Sequence, residues 1–217
     1  VRRRVPLLLA STSEVYGKNA ADKLSEDSDR VYGSPLLARW TYAAAKGLDE
    51  AMTYAHVQQS GLQARIVRLF NTVGPRQRGS YGMVLPNLVS QALAGEPLRV
   101  FGDGEQTRCF SYVGDIVPAL VRLADCPEAV GRAVNLGGRT EISINDLAAR
   151  VRDVLGSSSP IEHIPYEQAY APGYEDMRRR VPDNTLAGEL VGYYPATGID
   201  EMIQAVAASR SRELIAV

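Results

Sequence analysis

Val5-Pro6-Leu7-Leu8-Leu9-Ala10-Ser11 reads as a buried strand, a continuous apolar run that stops at small hydroxylic residues. It opens onto Thr12-Ser13-Glu14-Val15-Tyr16-Gly17. Residues 18–33 are polar, with Asp, Ser and Glu, and read as a loop. A helix is expected from about Pro35, with Ser34 as N-cap and proline in the first position, ending at Gly61. Residues 63–69 alternate polar with apolar side chains and form a second strand. Strand, helix, strand implies a parallel pair joined by a right-handed crossover.

The remainder keeps the alternation. Residues 70–82 are a Gly/Pro/Arg loop, 84–94 a helix stopped by Gly95, and 98–101 a short strand before the Asp103-Gly104 turn. Residues 109–113 read as a strand, 115–125 as an amphipathic helix, and 133–136 as a strand closed by Gly137-Gly138. Ser143 caps a helix that runs to Leu155, residues 161–164 are a strand, and 166–182 form a long polar loop, too long to be idle in a compact domain. Two short helices, 185–191 and 199–212, complete an α/β protein.

The 217 residues are enough for a real core, as one domain or one plus a small lobe. Lys+Arg 24 against Asp+Glu 25 gives no global pull towards nucleic acid; the runs Arg2-Arg3-Arg4 and Arg178-Arg179-Arg180 are local and read as solvated faces. Cys109 and Cys126 cannot alone make a metal cluster, and no metal-ligating set is found. Nothing suggests a disulfide framework, so a reducing cytoplasm is expected. The longest apolar run, residues 5–10, is too short to span a membrane and does not resemble a signal peptide.

Chemistry gathers at Trp40-Thr41-Tyr42-Ala43-Ala44-Ala45-Lys46. Tyr42 and Lys46 are four residues apart in an expected helix, hence on one face about a turn apart. An ammonium beside a phenol favours phenolate, and so a base usable near neutral pH. Tyr-x-x-x-Lys also arises by chance; its company gives it weight. Ligands of open α/β sheets bind beyond the carboxyl ends of parallel strands. Thr12, Ser13 and Glu14 sit at one such end, Asn71 and Thr72 at another, and the Tyr42 helix lies between those strands in sequence. The bland alternative has Thr12 and Ser13 capping a strand end and Glu14 solvated.

Six stretches occur in order: residues 10–17, the Tyr42/Lys46 pair, Leu69-Phe70-Asn71-Thr72-Val73-Gly74-Pro75-Arg76, residues 100–108, Val134-Asn135-Leu136-Gly137 and Arg180-Val181-Pro182-Asp183. Together they resemble the extended short-chain dehydrogenase/reductase family, in particular its NAD-dependent nucleotide-sugar epimerase, dehydratase and decarboxylase group. The resemblance implies the C-terminal part of a Rossmann-type doubly wound parallel sheet, residues 1–75 with 103–138. Residues 76–102 and 139–217 would form mainly a small α/β nucleotide-sugar-binding lobe.

The resemblance also implies roles. Tyr42 would take the proton of the sugar 4-hydroxyl while hydride passes to NAD. Lys46 would hold the nicotinamide ribose, and Thr12 would bond the same hydroxyl. Ser11 and Phe70 would lie on the cofactor side. Asn71, Arg76, Arg108 and Arg180 would meet the sugar-nucleotide, where arginine suits bidentate phosphate binding. Val100 and Phe101 would flank the base or belong to the core strand. Ser13 and Glu14 separate the reactions. Ser13 stands where 4,6-dehydratases resemble Thr-Asp-Glu, which argues against water loss. Thr-Ser-Glu resembles the UDP-glucuronate decarboxylases, whereas the surroundings of Tyr42 and residues 175–180 resemble bacterial 4-epimerases. A dehydratase-like enzyme, a non-catalytic nucleotide-sugar-binding homologue and a simple alcohol dehydrogenase are the alternatives; the last leaves Arg108 and residues 166–182 without purpose.

The family's Gly-rich turn after a first strand is absent; Arg78-Gly79-Ser80-Tyr81-Gly82 lacks the spacing. The chain is therefore expected to begin at the equivalent of the fifth strand, as part of a longer enzyme or in need of another chain. Residues 5–11 would then be an exposed apolar edge and independent NAD binding negligible. A homodimer through the Tyr42 helix is implied, with Ala43, Ala44 and Ala45 small enough for close approach.

Overall fold

The computed structural model describes residues 5–77, 83–169 and 176–215. Arg2, Arg3 and Arg4, the stretch 78–82 and the middle of 166–182 lie outside them. In chain order, β1 (Leu7–Thr12) runs into a 3-10 turn (Ser13–Tyr16), and a second 3-10 turn (Ala38–Trp40) leads into α1 (Thr41–Ser60). There follow β2 (Ala64–Leu69), β3 (Thr72–Val73), α2 (Val84–Ala94), β4 (Leu98–Phe101), β5 (Thr107–Cys109) and β6 (Ser111–Tyr112). Next come α3 (Val113–Ala124), β7 (Ala133–Leu136), β8 (Glu141–Ser143), α4 (Ile144–Leu155) and β9 (Ile161–Ile164). Three helices finish the chain: α5 (Tyr166–Ala169), α6 (Thr185–Val191) and α7 (Ile199–Ile215).

The main sheet has the order β1-β2-β7, all parallel, with Leu7 opposite Ala64, Thr12 opposite Leu69 and Ile66 opposite Ala133. Parallel neighbours need crossovers, and α1 makes the first of them. Its end is legible in sequence: Gly61 takes φ 64 and donates its N–H back into the last turn. On one sheet face Val67, Val134 and Leu136 bury against Ile116, Ala119 and Leu123 of α3 and Ala187 of α6. On the other, Ser11 and Arg68 lie beneath α1 against Glu50. As expected, β1 is an apolar edge: Val5 and Leu7 are exposed.

A second core forms where α2, α4 and α7 enclose the parallel pair β4-β9. Leu85, Leu88, Leu98, Leu147 and Ile203 are all fully buried there. Each contributes about 1.5–3 kcal/mol by leaving water, so this layer is held by apolar burial rather than by a continuous sheet.

Two expectations are corrected. The helix begins at Thr41, not Pro35; Ser34 closes a turn instead, its hydroxyl accepting from the Leu36 N–H at 3.2 Å and its carbonyl from Leu37 at 3.0 Å. The strand expected over 109–113 is divided. Thr107–Cys109 pairs antiparallel with β8, Ser111–Tyr112 pairs parallel with β3, and Val113 already starts α3. Val100 is 0% exposed within the α2/α4/α7 core, the core-strand placement that was one of its two expected roles, while Phe101 beside it is half-buried. Strand alternation turns the two to opposite faces.

Candidate active site

Glu14 is fixed by its backbone. It sits in the 3-10 turn that ends β1, where the Thr12 hydroxyl accepts its N–H at 3.2 Å. Gly17 closes the turn at φ 59, with its own N–H bonded to the Glu14 carbonyl at 3.0 Å. A Cβ there would lie 2.1 Å from the Val31 carbonyl oxygen, so only glycine fits.

The Glu14 carboxylate, 17% exposed, is not solvated. One oxygen accepts from Arg180 Nη1 and the other from Arg39 Nη1. Arg180 Nη2 also donates to Asn71 Oδ1 at 3.2 Å, which brings the end of β2 to the end of β1. Arg108, on β5, grips both oxygens of Asp176 at 3.0 Å and donates to the carbonyls of Thr107 and Met177 at 2.7 and 2.8 Å. Asp176 lies 3.6 Å from Arg39 Nη2, closing the network. Three guanidiniums face two carboxylates, a balance of 3 − 2 = +1 from the residues named.

Burial by itself would raise the Glu14 pKa, because it disfavours the charged carboxylate. Arg180 and Arg39 overcome it and hold the carboxyl below its usual range. Burial, reinforced by like charge on Arg180, draws Arg108 below the usual arginine value, against the pull of Asp176 and Glu14. Arginine stays a cation under such a shift. The cluster is therefore a permanently charged, partly dry patch at the carboxyl ends of the parallel strands.

Tyr42 stands in the first turn of α1 and is 53% exposed; Lys46 is one turn further, with Nζ 3.4 Å from Asp49. Both lie within α1 at i and i+4, so they share a face, as the spacing requires. Thr12 is 9% exposed at the neighbouring strand end. The other expected residues are placed less openly. The Ser11 hydroxyl donates to Glu50 at 2.5 Å beneath α1. Ser13 is buried, and Phe70 is buried with Val15, Tyr16 and Leu24. Arg76 is exposed at φ 64, its N–H bonded to Ser209 Oγ at 2.9 Å. The arginine run 178–180 divides: Arg178 pairs with Asp103 and Arg179 with Glu141 at the surface, while Arg180 is buried.

Sequence reading missed Arg39 and Asp176. Arg39 carries one signal, its position three residues, close to one helical turn, before Tyr42. Asp176 carries none, because its partners are Arg108 and Arg39, far away in the chain.

Residues 1–137 match the NAD dependent epimerase/dehydratase family. UDP-N-acetyl-alpha-D-glucosaminuronate decarboxylase of Bacillus cytotoxicus is 41% identical over 203 residues, covering 91% of this chain and 62% of the relative. UDP-glucuronic acid decarboxylase 1 of Xenopus tropicalis is 40% identical over 197 residues, covering 90% of this chain and 44% of the relative. The crystal structure of UDP-glucuronic acid 4-epimerase from Bacillus cereus, in complex with UDP-glucuronic acid and NAD, superposes with a TM-score of 0.82 at 26% identity, over 95% of this chain and 61% of the epimerase. The chain thus spans between 44% and 62% of the length of these proteins.

Proposed function

Because the chain belongs to the NAD dependent epimerase/dehydratase family, we propose that it carries the proton-transfer and sugar-binding part of an NAD-dependent enzyme that decarboxylates a UDP-uronate through a 4-keto sugar. The observation that carries this reading is Glu14, fixed between Arg39 and Arg180 beside Thr12. It belongs to Thr12-Ser13-Glu14, which has no aspartate in the middle to donate a proton for water loss. The two relatives at about 40% identity are both decarboxylases of UDP-uronates.

The donor set would suit the nicotinamide-ribose end of NAD: a half-exposed phenol and an ammonium one turn apart on α1. Lys46 would hold the ribose hydroxyls. When bound, NAD supplies the hydride acceptor that makes the sugar C4 a ketone. The chain's own groups do the rest. Tyr42 would accept the 4-hydroxyl proton, with Thr12 bonding the same oxygen. The 5-carboxylate is then β to a carbonyl, so the C5–carboxyl bond can break as carbon dioxide leaves and its electron pair delocalises into the ketone, an enolate that protonation at C5 and return of the hydride to C4 would turn into the UDP-pentose. The positive balance of the arginine cluster would stabilise that negative charge. Asn71 and Arg108 would meet the sugar-diphosphate.

A second reading, 4-epimerisation, is favoured by the fold likeness to the Bacillus cereus epimerase. Proton NMR of UDP-glucuronate incubated with the NAD-loaded enzyme, this chain joined to an upstream Rossmann half, separates the readings. A UDP-pentose is expected; a C4-inverted uronate would mean epimerase, and binding without turnover a non-catalytic homologue. A homodimer is part of the proposal, through α1. Ala43 faces inward and cannot serve, but Leu48 and Met52, one turn apart, are more than half exposed. Light scattering that finds a monomer at working concentrations would remove that part.

A further inference from the structure

Arg39 belongs to none of the expected motifs, yet it touches both carboxylates of the cluster. We propose that Arg39 is a positioning residue that keeps the Glu14 carboxylate in place while Arg180 engages an anionic group of the substrate. The inference rests on the decarboxylase reading, which supplies that anion.

The geometry divides the labour. Each Glu14 oxygen has its own guanidinium, so releasing one leaves the other. Arg180 holds a spare donor: its Nε is buried without a hydrogen-bond partner, although the residue is only 6% exposed. An unsatisfied buried donor of this kind costs about 1–3 kcal/mol, which an incoming anion would recover. Arg39 differs from Arg180 in its other contacts. Its second nitrogen faces Asp176, which Arg108 holds bidentate, and its guanidinium lies 5.4 Å from the Trp40 ring. It also sits in the turn that launches α1, so one guanidinium links Glu14, the helix of Tyr42 and the segment at Asp176.

The groups around Glu14 are Arg39 before α1, Arg180 after Asp176, and Thr12 on β1. Behind them stand Asn71 after β2, Arg108 on β5 and Asp176. Without Arg39, an Arg180 drawn to substrate would leave a buried carboxylate with no cation, and the carboxylate would take up a proton. Arg39→Lys keeps a charge at the site; Arg39→Gln does not.

The test is the titration of the Glu14 side-chain carboxyl by NMR, set beside the pH profile of kcat/KM in the NAD-loaded enzyme. Arg39→Gln should move the Glu14 midpoint upward and carry the acid limb of the profile with it. That gives about a tenfold loss of kcat/KM on the acid side for each unit moved and recovery on the alkaline side; Arg39→Lys should restore most of both. A loss of equal size at every pH, an unmoved Glu14 midpoint, or an Arg39→Lys no better than Arg39→Gln overturns the inference. Should Arg39→Gln not fold, Asp176→Asn loosens the same guanidinium and must move Glu14 by a measurable amount; no movement overturns it equally. The product keeps the two failures apart: a C4-inverted uronate or no turnover in the native enzyme refutes the decarboxylase reading, whereas a UDP-pentose alongside an unshifted Arg39→Gln profile refutes only the role of Arg39.

Discussion

Two glutamates, one part-buried and one fully buried, are each held by two arginines. Glu50, beneath α1, is 3% exposed; it accepts two bonds from Arg68 at 3.0 and 2.9 Å, one from Arg30 and one from the Ser11 hydroxyl. Arg68 spends its remaining donor on the Tyr16 hydroxyl and the Glu26 carbonyl, at 2.9 and 2.8 Å. Burial opposes its charge, but the Glu50 bond and the Tyr16 neighbour outweigh that and raise it further above the ordinary arginine value. Glu14 is more open and shares its cations with Asn71 and Asp176, and Arg180 Nε is buried without a hydrogen-bond partner. The same ingredients make a closed structural pin in one place and an anion-ready cluster in the other. Saturation of the donors, not the presence of charge, separates the two.

The comparison can be broken by removing each carboxylate in turn. Glu50→Gln should have the largest effect on stability, about 3–5 kcal/mol in urea unfolding, because it strands Arg68 in a buried site. A loss below about 1 kcal/mol would mean that the pin is not what holds α1 to the sheet. Glu14→Gln should lower stability less, by about 1–2 kcal/mol, since water and the remaining partners can reach its arginines.

Acid sharpens the difference. The folded Glu14 carboxyl lies below its ordinary value near 4.5, so its contribution is complete above that pH and is lost as the pH falls through the folded value. The stability gap between the native chain and Glu14→Gln should therefore be flat at neutral pH and close on acidification; a gap that widens in acid would reverse the assigned sign. The smallest effect belongs to the solvent-exposed Arg178–Asp103 bridge. Arg178→Ala should leave the unfolding midpoint unchanged within error, because exposed pairs are screened by water.

Much of the fold was legible because its punctuation is local. Ser143 and Gly156 bound α4, Gly95 ends α2, and Gly137-Gly138 follows β7, as apolar periodicity and stop residues indicate. The start of α1 was not, because Ser34-Pro35 satisfies the pattern of a helix start equally well as a turn. Val100 shows the ambiguity of a short apolar strand whose two faces are covered unequally. At the site, Glu14 could be singled out but not its environment. Its arginines come from 25 and 166 residues away, and no local pattern announces such partners. Ser11 illustrates the converse: it stands beside the chemistry in sequence, and the pleat turns it to Glu50.

The central claim is that Tyr42 takes the proton that opens the reaction. Single-turnover mixing of the NAD-loaded enzyme with UDP-glucuronate, followed by the near-ultraviolet absorbance of reduced nicotinamide, tests it most directly. The account predicts a rapid rise in the native protein, a rise slowed by about a hundredfold or more in Tyr42→Phe, and a rise still present in Glu14→Gln. An unchanged rate in Tyr42→Phe would contradict it.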